Sequence, residues 1–154
     1  GVDPSVGMLE VAKQKVSFAG FEVGYAQKLP FESEKFDFLS ISYGFRNVTE
    51  KEEAVKEFAR VLKNGGRLLI LEFAKNVSKN PFRIAAQWYV KKVLPWLGGL
   101  ISGNLSAYRY LPNSIEGFLT RDEIVAMLER NGFECEVAKD FSFGVSSLLI
   151  AKKK

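Results

Sequence analysis

The stretch FDFLSISYGFRNV, residues 36–48, decides the fold that we expect for this chain. Its first half has the apolar pattern of a strand that is buried on both faces of an α/β sheet. The strand pattern stops at Gly44, and Arg46 and Asn47 follow. Because ligands in open α/β sheets bind beyond the carboxyl ends of the strands, we predict functional roles for Arg46 and Asn47.

The composition is that of one globular domain. The chain has 154 residues, of which 47% are hydrophobic and 26% are charged. The formal net charge of +4 comes largely from the lysine tail at 152–154, so it is a weak argument for nucleic acid, and we expect no nucleic-acid partner. The single cysteine, Cys135, cannot form an internal disulfide and fits a buried thiol in a reducing compartment. We therefore expect a cytoplasmic protein.

Histidine is missing from these 154 residues. A Ser-His-Asp triad, a Cys-His pair and a histidine-based zinc site are therefore excluded within this sequence. We expect no metal site.

The spacing of apolar residues predicts alternating helices and strands. A helix capped by Ser5 runs to about residue 20, and a short strand follows at 21–26. After the strand in 36–48, Thr49 and Glu52 form a predicted capping box for a helix with an apolar stripe that ends at 64–66. A buried strand at 67–73 completes a parallel strand-helix-strand unit.

The last third of the chain predicts a helix and a hairpin. Thr120 and Glu123 form a second predicted capping box, and the helix that they open ends at 131–132. Two strands, at 133–138 and 145–151, are joined by six residues, which suits an antiparallel hairpin at the edge of the sheet.

Residues 80–118 interrupt this alternation. The segment holds both tryptophans, Trp88 and Trp96, but prolines, glycines and basic residues divide it too often for a membrane-spanning helix. We predict a helical lid inserted into a single domain that covers residues 1–154. The opening residues, Gly1 to Asp3, read as the end of a strand, so we expect an amino-terminally truncated domain.

Four motifs in order then resemble the successive post-strand motifs of class I S-adenosylmethionine-dependent methyltransferases. They are GVDPSVGML at 1–9, AQKLPF at 26–31, FD at 36–37, and KNGGR at 63–67 followed by LEF at 71–73. The resemblance implies a Rossmann-like α/β sheet with helices on both faces and a carboxyl-terminal antiparallel hairpin, here lacking the amino-terminal strands.

Two further blocks narrow the resemblance. SYGFRNVT at 42–49 and SAYRYLPNSI at 106–115 are similar to the UbiE-type ubiquinone/menaquinone biosynthesis C-methyltransferases. The resemblance implies S-adenosyl-L-methionine as cofactor, and a demethylmenaquinol or a polyprenyl-benzoquinol with its isoprenoid tail as substrate. The residues that it assigns to the cofactor are Asp3, Met8, Tyr25, Ala26 and Ser42.

Two of the cofactor assignments, Asp3 and Met8, have a structural alternative. Asp3 is placed to accept hydrogen bonds from ribose hydroxyls, but it can equally cap the helix that follows. Met8 is expected on the adenine face, although its spacing also suits an ordinary core position. Tyr25 departs from the family, because relatives usually have Asp or Asn there, next to the adenine.

For the substrate, the resemblance assigns catalytic roles to Arg46, Asn47 and Tyr108, and substrate contacts to Arg46, Trp88, Tyr108 and Tyr110. A fixed guanidinium beside the ring oxygen favours the phenolate that attacks the methyl group. The alternative is that Arg46 pairs with Glu72 and holds two strand ends together.

Other functions stay open at this point. A small-molecule O- or N-methyltransferase would share the cofactor residues, and a non-catalytic partner subunit would bind no cofactor. We also expect peripheral contact with an anionic membrane surface through the tryptophan-rich segment, and we leave open a homo-oligomer.

Overall fold

The described part of the chain forms two β-sheets with helices packed beside them. The computed structural model describes residues 1–73, 75, 80–93, 96 and 114–154. The first sheet has two parallel strands, and the second has four strands in the order β3-β4-β6-β5. The strands are β1 (Val2–Asp3), β2 (Glu22–Val23), β3 (Phe36–Ser42), β4 (Leu62–Glu72), β5 (Phe133–Phe141) and β6 (Ser146–Lys153). The helices are α1 (Val6–Lys15), α2 (Lys51–Val61), α3 (Pro81–Trp88) and α4 (Arg121–Arg130).

The four-stranded sheet confirms the predicted α/β class. β3 and β4 are parallel and are joined through α2, as the strand-helix-strand pattern predicts. β6 is antiparallel to both β4 and β5. The predicted carboxyl-terminal hairpin is therefore present, with strands longer than expected and a shorter turn.

One hydrophobic core lies against this sheet. α2 contributes its apolar stripe and α4 contributes Ile124, Met127 and Leu128, each at most 8% exposed. The capping box of Thr120 and Glu123 is present with both of its hydrogen bonds, and it sets the start of α4. The core also includes Phe45, Phe58, Leu62, Leu68, Ile70, Phe118, Phe133, Leu149 and Ala151.

Residues 1–24, which we call the amino-terminal unit, are packed much less tightly. Ser5 caps α1 as predicted, with its Oγ accepting from the Met8 N–H at 3.4 Å. α1 ends at Lys15, short of the predicted residue 20, and Leu9 is its one buried residue. β-Branched and aromatic residues, Val16 and Phe18, follow with low helix propensity, and this explains the early end.

Three predictions about the middle of the chain are wrong. α2 ends at Val61 rather than at 64–66, because Leu62 already pairs with Phe36 as the first residue of β4. β3 is not buried on both faces: Phe38 is 52% exposed, because it lines a cavity and none of the helices in the described part of the chain covers it there. The capping box at Thr49 and Glu52 is also missing: Glu50 is the N-cap of α2 and makes no side-chain cap bond. Glu52 instead accepts hydrogen bonds from α4 and the residue after it, Arg130 and Asn131.

The loop after β2 is fastened to α2. The Leu29 N–H donates to Glu57 Oε1 at 2.8 Å, and Arg60 Nη2 donates to the Leu29 carbonyl at 3.3 Å. Arg60 and Glu57 also form an ion pair at 2.7 Å. These bonds fix the loop beside the sheet and hence set one wall of the cavity described next. Among the described residues, no helix is both long and apolar enough to cross a bilayer.

Candidate active site

A cavity of about 960 Å³ lies between the amino-terminal unit and β3. Its volume falls in the range of pockets that hold cofactors and drug-sized ligands. Five residues that the sequence assigns to a site line it together: Asp3, Tyr25, Ala26, Ser42 and Asn47. They come from the end of β1, the loop after β2, and the end of β3 with the turn that follows it.

Asp3 lies at the carboxyl end of β1 and lines the cavity. Its Oδ1 accepts a hydrogen bond from the Ser5 N–H at 2.8 Å, an arrangement that fixes the turn into α1. The helix cap itself is Ser5, so Asp3 does not cap α1 in the way that the alternative interpretation required. A carboxylate accepts several hydrogen bonds, so Asp3 keeps the capacity to accept from a vicinal diol.

The loop after β2 brings Tyr25 and Ala26 to the cavity. A Cβ atom at Gly24 would meet Pro30 Cδ and Val2 Cγ1, each at 3.0 Å, so this glycine allows the loop to approach β1 closely. The Lys28 N–H donates to the Tyr25 carbonyl at 2.9 Å and tightens the turn. Tyr25 is 61% exposed, and its ring is available to stack on a planar ligand.

Three of the predicted residues that the structure describes, Met8, Trp88 and Arg46, do not line the cavity. Met8 is 64% exposed on α1 and is not among the residues that line the cavity. Trp88 is 61% exposed on α3 and does not line it either. Tyr108 and Tyr110, together with most of the predicted lid, lie outside the described residues, so their assignments stay predictions.

Arg46 follows β3 in a 3₁₀ turn, Phe45–Asn47, next to the cavity-lining Asn47. Its Nη1 donates to Glu72 Oε1 at 2.7 Å and also to the Tyr43 carbonyl. Its Nε donates to Ser114 Oγ at 3.3 Å, and its backbone N–H donates to Glu72 Oε2 at 3.0 Å. The guanidinium is therefore held rigidly, and none of the described residues bonds its Nη2.

The Arg46–Glu72 pair is nearly dry. The Arg46 side chain is 10% exposed and the Glu72 side chain 1%. Glu72 Oε1 also accepts from the Phe73 N–H at 2.9 Å, and the Arg46 guanidinium lies 5.5 Å from the Phe73 ring centroid. The Arg46–Glu72 pair that the sequence left as an alternative is thus present, and it joins the ends of β3 and β4. Within the described residues, the pair leaves the Nη2 atom of Arg46 without a hydrogen bond.

Sequence reasoning missed two members of this cluster. Tyr43 has a φ of 53°, a conformation uncommon for residues other than glycine, and its ring packs against Phe73 at 4.6 Å. This backbone turns the chain so that the Tyr43 carbonyl meets Arg46. Ser114 is 68 residues from Arg46, and no local pattern could have paired them. In the part of the chain that the structure describes, no group of three or more acidic, histidine or cysteine side chains is arranged to bind a metal.

Comparison with known proteins gives a consistent result. A sequence model of the ubiE/COQ5 methyltransferase family matches residues 1–153. The chain is 54% identical over 153 residues to the ubiquinone/menaquinone biosynthesis C-methyltransferase UbiE of Campylobacter jejuni subsp. jejuni serotype O:6. It is 40% identical over 150 residues to the demethylmenaquinone methyltransferase of Thermotoga maritima. These alignments cover 99% and 97% of this chain, which spans 65% of the length of each relative.

Solved structures share the fold at lower identity. A SAM-dependent methyltransferase from Thermotoga maritima superposes with a TM-score of 0.69 at 22% identity, over 100% of this chain and 72% of that one. The [4+2]-cyclase SpnF gives the same TM-score at 15% identity, over 99% of this chain and 64% of that one. Together with the sheet described above, these likenesses confirm the class I methyltransferase fold.

Proposed function

Because this chain belongs to the ubiE/COQ5 methyltransferase family, we propose that it carries out S-adenosylmethionine-dependent C-methylation of a demethylmenaquinol or a polyprenyl-benzoquinol. One observation carries the proposal: a single cavity joins Asp3 in the amino-terminal unit and Tyr25 in the loop after β2 to Ser42 at the end of β3 and Asn47 in the turn that follows. The fixed Arg46 guanidinium lies directly beside Asn47 in the chain. The cavity thus connects a candidate nucleoside-binding end with Asn47, whereas Arg46 lies next to the lining residue Asn47 and does not itself line the cavity.

The residues at the first end fit the nucleoside of the cofactor. Asp3 has a free acceptor capacity at a strand end, which suits the vicinal hydroxyls of ribose. Tyr25 offers a ring face, and Ala26 leaves room for an adenine beside it. Met8 has the weakest support of the cofactor residues, since it does not line the cavity. When bound, the cofactor supplies a methyl group on a sulfonium, which is the electrophile of the reaction.

The residues at the second end suit an aromatic ring that must ionise. Arg46 is held in place by Glu72, Tyr43 and Ser114 through Nε and Nη1, and its Nη2 is the atom that would donate to a ring oxygen. Glu72 largely balances its charge, and Arg46 therefore acts mainly as an oriented hydrogen-bond donor to the phenolate. Asn47 can donate to the second ring oxygen. Ionisation of the ring requires a base that removes the phenolic proton. Glu72 is a poor candidate for that base, because three donors already occupy its oxygens.

Tyr108 and Tyr110 complete the proposal as residues that position the ring. Methylation at carbon requires the ring carbon to be held in line with the sulfonium, and such positioning supplies ~7 kcal/mol or more of the barrier reduction.

The test uses the full-length protein with S-adenosylmethionine and a reduced demethylated quinone. Arg46→Ala is expected to lower kcat about a hundredfold, with the Kd for the cofactor unchanged, because it removes a donor to the developing charge. Arg67→Ala is the matched control: Arg67 lies on β4 and pairs with Glu136 at the surface, so its loss should leave kcat unchanged. Arg46→Lys, which keeps the charge beside Glu72, guards against loss of folding. A kcat within a few-fold of wild type for Arg46→Ala would contradict the assignment.

Product analysis separates the rival functions. A methyl group on a ring carbon, found by NMR of the product, supports the C-methyltransferase, whereas a methyl ether or a methylamine supports an O- or N-methyltransferase. Calorimetry that detects no cofactor binding by the folded full-length protein would instead favour a non-catalytic partner subunit.

We further propose that α3 contacts the isoprenoid tail and the membrane surface from which a lipid quinol is taken. Phe82, Ile84 and Trp88 on α3 are each more than half exposed, and Trp96 is 69% exposed. Exposed aromatic and aliphatic side chains beside basic residues such as Arg83 and Lys92 suit an anionic interface. Co-flotation with anionic but not neutral vesicles would support this contact, and no co-flotation would contradict it. Sedimentation in the same buffer would decide whether a homo-oligomer forms.

A further inference from the structure

Asp140 is a partly buried carboxylate that connects several elements away from the cavity. It lies near the end of β5, opposite Ser147 in β6, and its side chain is 12% exposed. Oδ1 accepts from Ser147 Oγ at 2.8 Å. Oδ2 accepts from Arg83 Nη1 at 2.8 Å and from Arg121 Nη1 at 3.1 Å. One carboxylate thus holds α3, through Arg83, and the first residue of α4, Arg121, onto the terminal hairpin.

The two arginines do not depend on Asp140 equally. Arg121 also forms an ion pair with Asp122 at 3.0 Å. Asp140 is the one acidic partner of Arg83 within the described residues. Loss of the Asp140 charge would therefore loosen α3, while α4 would stay packed through its buried core residues Ile124 and Leu128.

Burial raises the pKa of Asp140, but the hydrogen bonds from Ser147 and Arg83, with the charges of Arg121 and Arg83, outweigh it. The net pKa is lowered, so the junction is ionised at neutral pH.

A second contact holds the same helix. Phe82 at the start of α3 stacks on Phe143, with ring centroids 6.4 Å apart. Phe143 lies in a turn where three successive residues, Ser142, Phe143 and Gly144, have φ values of 51°, 56° and 83°. Two residues other than glycine in the left-handed region are costly, and such backbone persists where neighbouring contacts require it. The turn directs the Phe143 ring at α3, two residues after β5 ends.

We propose that Asp140 is a positioning residue that sets the place of α3 on the hairpin, and through α3 the apolar side chains that meet the isoprenoid tail of the substrate. The part about the tail rests on the proposed function, whereas the hold on α3 does not. The consequence is a division of labour. Asp140, in the edge strand β5, affects recognition of the tail, and Arg46, after the opposite edge strand β3, acts on the ring.

The first test measures the hold on α3 by amide hydrogen exchange in the full-length protein. Asp140→Asn and Arg83→Gln are expected to speed exchange of the amides at 84–88 by about tenfold, since each removes a charge-assisted hydrogen bond. Arg121→Gln is the matched control, because it removes the other donor to the same oxygen and should leave these amides unchanged. Unchanged exchange in both variants, or equal acceleration in Arg121→Gln, would overturn the proposal.

The same experiment reports whether the fold survives. Amides of β4 and β6 serve as internal references and should not change. If Asp140→Asn does not fold, Arg83→Gln provides the test. Arg83 is 35% exposed, and in this variant the Asp140 carboxylate still accepts hydrogen bonds from Arg121 and Ser147.

The second test uses two substrates that share the ring. For a quinol with a long isoprenoid tail, Asp140→Asn should raise KM about fivefold or more, with kcat retained. For a short-chain analogue KM should stay at the wild-type value, and so should the Kd for S-adenosylmethionine. Equal increases in KM for both quinols would overturn the tail assignment. A wild-type protein that methylates neither quinol would reject the proposed function, while the exchange result would still decide the hold on α3.

Discussion

The amino-terminal unit and the four-stranded sheet with its helices differ sharply in how they are packed. In the sheet, residues such as Phe133, Leu128 and Leu149 are fully buried. In the amino-terminal unit, Leu9 is the one buried hydrophobic residue, and Phe18 is 93% exposed. The two regions nevertheless share one cavity, with Asp3 from the first and Ser42 from the second.

This difference separates the two halves of the proposed reaction by burial. Of the proposed cofactor residues, Asp3 lies in the amino-terminal unit and Tyr25 follows that unit directly in the chain, whereas Arg46 lies in the tightly packed region. The Arg46 side chain is 10% exposed, and Tyr25 is 61% exposed. The proposed ring-binding end is therefore built from more buried side chains than the proposed cofactor end.

The largest expected effect comes from the core of the sheet. Phe133→Ala should lower the free energy of unfolding by about 4 kcal/mol, because it leaves a cavity in a fully buried site. The comparison variant, Phe18→Ala in the amino-terminal unit, should change it by about 0.5 kcal/mol or less. Urea denaturation followed by circular dichroism measures both. Similar losses in the two variants would mean that the amino-terminal unit has a core of its own.

The buried ion pair gives the next largest effect. Glu72→Gln should cost about 3 kcal/mol of unfolding free energy, since an amide group would face the Arg46 donors without a charge to meet them. Glu53→Gln on α2 is the matched control, because the Glu53 side chain is 57% exposed and its ion pair with Lys56 lies in water. Its urea midpoint should equal that of wild type. A midpoint for Glu72→Gln equal to that of the control would show that Glu72 does not hold the two strand ends.

The distance along the chain between interacting residues explains which features the sequence could predict. The stripe of α2 and the box at Thr120 depend on residues within one or two helical turns, and both are present as predicted. The antiparallel hairpin follows from two adjacent strand patterns in the same way. Such features need only local spacing, so one sequence suffices to identify them.

Features that depend on distant partners could not be predicted in the same way. Phe38 reads as a core residue, but its exposure depends on what lies beside β3. Thr49 has the chemistry of an N-cap, yet Glu52 bonds to Arg130, 78 residues away, and α2 starts without the box. The Ser114 contact to Arg46 likewise spans 68 residues. The spacing of apolar residues along the chain contains no information about contacts between residues so far apart.

The helix caps give a smaller effect and sharpen the comparison. Thr120→Ala should cost about 1 kcal/mol, since it removes a cap whose bonds with Glu123 are reciprocal. Ser5→Ala should cost less, because the Ser5 Oγ lies 3.4 Å from the Met8 nitrogen and α1 has no reciprocal bond. Amide exchange in the first turn of each helix measures both. A larger change in α1 than in α4 would contradict the ranking.

The smallest effect lies where the two regions join, and it depends on pH. The hydrogen bond from Arg60 lowers the pKa of Glu57, and the Leu29 N–H adds to this against the opposing effect of burial. A lowered folded pKa stabilises the protein above the ordinary value of 4.5 and ceases to do so as the pH falls through the folded pKa. Glu57→Gln should therefore cost about 0.5 kcal/mol at neutral pH, and the difference from wild type should shrink below pH 4.5.

The pH series distinguishes the charge of Glu57 from its shape. Glutamine keeps an oxygen that can accept from the Leu29 N–H, so what the variant removes is chiefly the attraction to Arg60. If the difference in urea midpoint were the same at acidic and neutral pH, the charge would play no part in fastening the loop. If it shrinks as expected, the loop that carries Tyr25 and Ala26 to the cavity is held to α2 by a titratable contact, and acid should weaken cofactor binding before it unfolds the sheet.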